Sequence, residues 1–108
     1  MTTPSLLIVG HGTRDEAGAR EFRRFAERVA RRGADRPAAL HERPAGVAGG
    51  FIELSRPPLR EAVADLVARG LSDVVAVPLI LLAAGHAKGD IPAALARERE
   101  RCPGLRTR

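Results

Sequence analysis

Three short, largely apolar runs divide the chain, and none of them alternates regularly with polar residues. They are Ser5–Gly10 (SLLIVG), Val47–Leu54 (VAGGFIEL) and Asp73–Leu82 (DVVAVPLILL). Continuous apolar runs of this length are typical of strands buried on both faces, as in parallel sheets. Pro78 interrupts the third run, so we expect it at a position where a missing N–H costs little. The pattern therefore predicts three buried strands.

The segment after the first strand has the periodicity of an amphipathic helix. Asp15–Arg32 carries apolar residues at steps of three and four, and Gly33 predicts its end. The following stretch, Gly33–Gly46, is rich in Pro, Ala and Gly and is typical of a loop. The apolar stripe of this helix would consist of Phe22, Phe25, Ala26 and Val29.

Two further helices follow the second and third strands. Ser55 predicts the cap of the second helix, with Pro57–Pro58 in its first turn and Gly70 at its end. Asp90 predicts the cap of the third helix, with Pro92 in the first turn. The apolar face of the second helix would consist of Leu59, Val63, Leu66 and Val67.

The predicted order is β-α-β-α-β-α. Buried strands that alternate with helices indicate an α/β fold, a doubly wound parallel sheet. Pro103–Arg108 (PGLRTR) would be the start of a fourth strand. Because three strands make a thin sheet, we expect an incomplete lobe, truncated before its last strand and helix, or a sheet that is completed by pairing.

Composition narrows the class of protein. The 108 residues suit one domain, 1–108, and a hydrophobic fraction of 44% with 29% charged residues is typical of a soluble globular protein. The net charge is +5, with Lys88 as the only lysine. The arginines are spread along the predicted helices, and three phenylalanines are the only aromatic residues, so a nucleic-acid surface is disfavoured. An anionic small molecule remains open.

The sequence also gives an indication of the cellular compartment in which the protein works. No apolar run is long enough to span a bilayer, and the segment Met1–Gly12 lacks the basic region and cleavage site of a signal peptide. The one cysteine, Cys102, cannot form an intrachain disulfide. We therefore expect a reducing, cytoplasmic location and no membrane partner.

Three residues with metal-ligating side chains follow the three strands. His11 follows the first, Glu53 ends the second and His86 follows the third. Ligands of open α/β sheets bind beyond the carboxyl ends of the strands, so these residues would converge. Imidazole with carboxylate suits Co²⁺, Fe²⁺, Ni²⁺ or Zn²⁺. Because Gly10 and Gly12 lack side chains, they would leave the backbone exposed and leave space for a ligand.

Each residue has a simpler interpretation. His11 could be a hydrogen-bonded histidine at a tight turn, Glu53 the polar position of an edge strand, and His86 an ordinary loop histidine. No short motif such as H-E-x-x-H fixes a metal site. The prediction therefore depends on the convergence of the three.

Three motifs carry a resemblance to a known family. They are G-H-G-T-R-D at Gly10–Asp15, F-I-E-L at Phe51–Leu54, and the V-P-L…G-H…D-I-P pattern within Val77–Pro92. In combination they resemble the CbiX/SirB family of class II chelatases, over Ser5–Arg101 apart from Gly33–Gly46. The resemblance implies a chelatase-like, flavodoxin-like lobe. It also implies a lyase that inserts Co²⁺ or Fe²⁺ into sirohydrochlorin in cobalamin or sirohaem biosynthesis, with Ni²⁺ as a further metal.

The resemblance also implies a site. The metal-binding histidines of the family fall on His11 and His86, and its recurrent glutamate, which assists metal delivery or proton removal, falls on Glu53. Arg56 stands at a substrate position where family members often carry an acidic residue. Arg14 would pair with a substrate carboxylate or serve a structural role near the first helix. The tetrapyrrole-contacting segment of the family falls on Leu81, Leu82, Ala83, Ala84, Gly85 and His86.

The family also implies the partners. Its members are homodimers of a short form or longer chains with two similar lobes, and both place the active site in a cleft between lobes. The metal is then a substrate, and no cofactor is permanently bound.

Two other functions and one binding fold compete with this prediction. Histidine phosphatases also carry a histidine at a strand end, but in an R-H-G motif whose arginine binds phosphate. In this chain Gly10 stands at the position of that arginine. A dinucleotide-binding domain is disfavoured because the G-x-G-x-x-G spacing is missing. A metal-binding or metal-carrying module would use the same histidines without turnover.

Overall fold

A computed structural model describes residues 4–35, 44–79 and 90–107. Within them, strands and helices alternate in the order that the sequence predicts, and a fourth strand begins close to the end. The elements are β1 (Ser5–Gly10), α1 (Glu16–Asp35), β2 (Val47–Phe51), α2 (Leu59–Ala68), β3 (Asp73–Leu79), α3 (Asp90–Arg101) and β4 (Arg106–Thr107).

The four strands form one parallel sheet with the order β2-β1-β3-β4. β1 lies between β2 and β3, and its last residue, Gly10, pairs with Phe51 on one side and Leu79 on the other. The chain passes from β1 to β2 on one side and then crosses to β3 on the other. In such a sheet the ligand site lies at this change of direction, beyond the carboxyl ends of the strands. We call this side the carboxyl edge.

Helices cover both faces of the sheet, which confirms the predicted α/β class. On one face, Leu7 and Val9 of β1 pack with the apolar sides of α2 and α3. On the other face, Ile8 packs with Phe22 of α1 and Phe51 of β2. The two phenylalanine rings lie 4.3 Å apart between centroids, inclined at 41°. The end of β1 is therefore enclosed by packed side chains on both sides.

Several predicted boundaries are wrong. α1 continues through Gly33 to Asp35, because a glycine inside a helix costs only about 1 kcal/mol and does not by itself end the helix. β2 ends at Phe51 rather than Leu54, and α2 begins at Leu59 with Pro58 at the cap position, so Ser55 is not its cap. Only the first part of the third predicted strand, up to Leu79, lies within the described residues.

Two further details concern the start of α1 and the proline of β3, and the second agrees with the expectation from the sequence. Asp15 caps α1, since its Oδ1 accepts a hydrogen bond from the Ala17 N–H at 3.1 Å. Pro78 lies opposite Val9 of β1, whereas β4 pairs with β3 only at Asp73–Val74. Within the described residues, Pro78 thus has a neighbouring strand on one side only, where a missing N–H is tolerated.

A candidate metal site at the carboxyl edge

The candidate site begins where β1 ends. Gly10 is the last residue of β1, and a Cβ on it would lie 2.8 Å from a ring carbon of Phe22 and 2.9 Å from one of Phe51. This glycine therefore lets two buried rings close over the strand end. The prediction that Gly10 leaves space for a ligand is wrong, because the core occupies that space.

The chain after β1 and the chain after β2 continue side by side beyond the sheet. The Ile52 N–H donates to the Gly10 carbonyl at 2.9 Å, and the Glu53 N–H donates to the His11 carbonyl at 3.2 Å. Gly12 has a φ of 116°, and a Cβ on it would lie 1.8 Å from the Glu53 carbonyl oxygen. Only glycine permits this approach, so Gly12 also serves backbone packing rather than ligand clearance.

This arrangement places the side chains of His11 and Glu53 together. His11 Nδ1 lies 3.8 Å from Glu53 Oε1, and the two side chains are 29% and 55% exposed. Two ligands of a tetrahedral ion, each at about 2.1 Å, are about 3.4 Å apart. A small side-chain rotation would thus let both atoms ligate one ion. We call these residues the His11–Glu53 pair.

The hydroxyl of Ser55 joins the segment after β2 to the segment after β1, and these two segments carry the His11–Glu53 pair. Ser55 Oγ accepts a hydrogen bond from the Thr13 N–H at 2.9 Å and donates one to the Thr13 carbonyl at 2.7 Å. Thr13 Oγ1 in turn accepts from the Asp15 N–H at 3.1 Å. Sequence reasoning assigned Ser55 to a helix cap and missed this role, because no local signal relates residues 42 positions apart.

The two arginines predicted to contact substrate are both exposed, one on each segment. Arg14 lies three positions after His11, and Arg56 three positions after Glu53. The Arg56 carbonyl accepts a hydrogen bond from Arg23 Nη1 at 2.9 Å, which fixes its backbone to α1. Within the described residues, the guanidinium groups of Arg14 and Arg56 make no ion pair. Both are therefore available to an anionic ligand.

The remaining predicted residues, Leu81–His86, lie outside the described residues. Inside the described ranges, no three histidine, cysteine or acidic side chains cluster closely enough to hold a metal ion. The structure thus brings together two of the three predicted ligands, His11 and Glu53. Ligation by His86 stays a prediction. None of the helices in the described ranges combines the length and apolar character that crossing a membrane requires.

Comparison with known proteins shows that the chain is similar in sequence to sirohydrochlorin chelatases. The chain is 38% identical over 100 residues to a sirohydrochlorin cobaltochelatase of Priestia megaterium, and 31% identical over 102 residues to a sirohydrochlorin ferrochelatase of Bacillus subtilis. These matches cover 92% and 94% of this chain but only 29% and 36% of the relatives. The chain therefore spans about a third of the length of either relative.

A solved structure agrees with these matches. The sirohydrochlorin chelatase SirB from Bacillus subtilis subspecies spizizenii, in complex with cobalt, superposes with a TM-score of 0.75 at 31% identity. The superposition covers 98% of this chain and 42% of that one. A sequence model of the CbiX family matches residues 5–108. The chain therefore belongs to the CbiX family.

Proposed function

We propose that the protein is a sirohydrochlorin chelatase, a lyase that inserts Co²⁺ or Fe²⁺ into the macrocycle and releases two protons. The observation that carries the proposal is the His11–Glu53 pair, with 3.8 Å between Nδ1 and Oε1 at the carboxyl edge. The names of the relatives, which include both cobaltochelatases and a ferrochelatase, support the same reaction and leave the metal open.

The pair suits the two requirements of metal insertion. The ion must lose water molecules, and two pyrrole nitrogens must lose their protons. A neutral imidazole binds Co²⁺ and Fe²⁺ well and accepts protons near neutral pH. A carboxylate offers a further ligand or a proton acceptor. In this proposal His11 and His86 hold the ion over one face of the ring, and Glu53 completes the site or accepts the pyrrole protons.

The surroundings of the pair suit an anionic tetrapyrrole. Sirohydrochlorin carries many carboxylates, and a guanidinium pairs with a carboxylate through two parallel hydrogen bonds. Arg14 and Arg56 are exposed on the two segments that carry the pair. In this proposal they bind the carboxylates at the ring periphery, and the segment Leu81–His86 covers the ring.

The assembly is part of the proposal. The chain spans about a third of its longer relatives, and it aligns with 42% of the cobalt-bound SirB chain. We propose that a second copy of this chain or a second, similar lobe completes the cleft. The single cysteine, Cys102, supports a reducing cytoplasm as the place of the reaction.

The test follows the absorbance of sirohydrochlorin with Co²⁺ or Fe²⁺ in the presence of the chain. His11→Ala and His86→Ala should each lower the rate at least tenfold, and Glu53→Gln should lower it while keeping the shape of the side chain. Glu61→Gln, which alters an exposed acid in the first turn of α2, is the matched control and should keep the parent rate. Parent rates in both histidine variants would overturn the assignment of the site.

A metal-binding or metal-carrying module is the second candidate, because the same pair would bind an ion without any macrocycle. Calorimetry with Co²⁺, with and without sirohydrochlorin, separates the two. Binding of Co²⁺ with no metallated product over hours would favour the carrier. The phosphatase alternative finds no support in the relatives.

A further inference from the structure

Leu54 adopts a backbone conformation that a leucine rarely takes. Its φ is 67°, and it is the one non-glycine residue with positive φ in the described ranges. The Ser55 N–H donates to the Glu53 carbonyl at 2.7 Å, which closes a three-residue γ-turn around Leu54. A γ-turn with positive φ at a bulky residue is strained, and such strain persists only where the surroundings hold it.

Contacts on both sides hold this turn. Before Leu54, the Glu53 carbonyl oxygen packs against Gly12, and the Glu53 N–H is bonded to the His11 carbonyl. After it, Ser55 Oγ makes its two hydrogen bonds with the Thr13 backbone. The turn is therefore fixed between two points that both belong to the segment after β1.

The strained conformation does not place the Leu54 side chain in the hydrophobic core. Leu54 is 61% exposed, against 41% for Val77, 38% for Phe25 and 37% for Val67, the other exposed large apolar residues in the described ranges. Leu54 belongs to neither of the apolar clusters, although Ile52, two positions earlier, packs against one of them. A strained backbone that points an apolar side chain into solvent beside a candidate site indicates a contact with a ligand.

We propose that Leu54 is an apolar contact for the flat face of the tetrapyrrole, held by the γ-turn so that the ring lies over the His11–Glu53 pair. This inference rests on the proposed function. A tetrapyrrole has a wide apolar face and a charged periphery, so an apolar side chain beside the metal ligands and arginines further along both segments match its chemistry. The contact would set the affinity and position of the ring and leave the affinity for the metal unchanged.

Three substitutions separate a contact from a merely structural role. Leu54→Ala removes the side chain and keeps the strain, Leu54→Gly removes both, and Leu54→Met keeps an apolar side chain. A ligand contact predicts that the alanine and glycine variants both bind sirohydrochlorin roughly tenfold more weakly, as expected for the loss of several buried carbons. The methionine variant should stay within about threefold of the parent. Val67→Ala, near the end of α2, is the matched control and should bind like the parent.

The measurements are a titration of sirohydrochlorin absorbance, calorimetry with Co²⁺ alone, and thermal unfolding of each variant. All variants should bind Co²⁺ like the parent, and Leu54→Gly should unfold at the same or a higher temperature, since glycine adopts positive φ without strain. A purely structural role predicts the opposite for binding, with parent affinity restored in Leu54→Gly. That result, or parent affinity in Leu54→Ala, would overturn the inference and leave the proposed function intact. A parent chain that does not bind sirohydrochlorin at all would overturn both.

Discussion

Ser55 and Thr13 are joined by two hydrogen bonds that run in opposite directions between one side chain and one backbone unit. Ser55 Oγ accepts from the Thr13 N–H at 2.9 Å and donates to the Thr13 carbonyl at 2.7 Å. The two residues are 42 positions apart and lie on the segments that follow β1 and β2. Since His11 precedes one end of this connection and Glu53 the other, the hydroxyl sets the spacing of the candidate ligands.

The first prediction concerns this hydroxyl. Ser55→Ala leaves the Thr13 N–H and carbonyl, both partly buried, without their partner, so the free energy of unfolding should fall by about 1–2 kcal/mol. Affinity for Co²⁺ should also fall several-fold, because the His11–Glu53 pair becomes less well ordered. Urea denaturation and calorimetry measure the two effects.

The controls for this prediction are Ser55→Thr and Ser72→Ala. The first keeps a hydroxyl and should retain most of the stability and metal affinity, whereas the second alters an exposed serine and should change neither. Loss of stability in Ser55→Ala with full metal affinity would show that the hydroxyl has no part in ordering the pair.

The second prediction compares two glycines with positive φ. Gly12 (φ 116°) has the Glu53 carbonyl oxygen where a Cβ would be, whereas Gly104 (φ 96°) has nothing within 4 Å. Gly104→Ala should cost about 1 kcal/mol, the backbone penalty alone. Gly12→Ala adds a steric overlap, so it should cost roughly 3 kcal/mol or more and separate His11 from Glu53. Urea denaturation of both variants gives the difference, and equal costs would contradict the close packing at Gly12.

The sequence predicts much of the fold because its signals are local. Continuous apolar runs mark β1 and β3, the three- and four-residue periodicity marks α1, and alternation with helices implies a parallel sheet. The convergence of His11 and Glu53 follows from the same topology, since both lie just after parallel strands. The element boundaries are less predictable because the local signals there are weak: Gly33 favours a helix end, yet α1 continues through it to Asp35.

The details of the site depend on contacts between distant segments, which no local pattern encodes. Ser55, before two prolines, has the appearance of a helix cap, and only the fold brings it to Thr13. Gly10 and Gly12 look like clearance for a ligand, yet one lies under aromatic rings and the other against a carbonyl. The positive φ of Leu54 follows from these contacts and has no signal in the sequence.

The third prediction tests the packing at the end of β1. Gly10→Ala would place a methyl group 2.8 Å from a ring carbon of Phe22 and 2.9 Å from one of Phe51, and both rings are only 3% exposed. Because neither ring can move into solvent without leaving the core, the free energy of unfolding should fall by about 1–3 kcal/mol. Thermal or urea unfolding measures this loss.

A double mutant tests the cause of that loss. Phe22→Leu destabilises the parent by opening a small cavity, but it also makes room for a methyl group at position 10. The double variant Gly10→Ala/Phe22→Leu should therefore be more stable than the sum of the two single losses implies. Strict additivity would show that Gly10 is needed for a reason other than contact with the Phe22 ring.

The last prediction concerns the charge beside the pair. Arg14 and Arg56 are exposed and free of ion pairs within the described residues, so replacing either by alanine should leave stability within about 0.5 kcal/mol of the parent. Affinity for an anionic tetrapyrrole should fall several-fold in each variant, and the fall should shrink as salt is raised, because salt screens exposed charges over about 10 Å at 0.1 M. Arg28→Ala is the matched control, because it removes an exposed arginine from the middle of α1 and alters the net charge equally. A similar loss of affinity in Arg28→Ala would mean that the overall charge of the protein, and not Arg14 and Arg56, attracts the ligand.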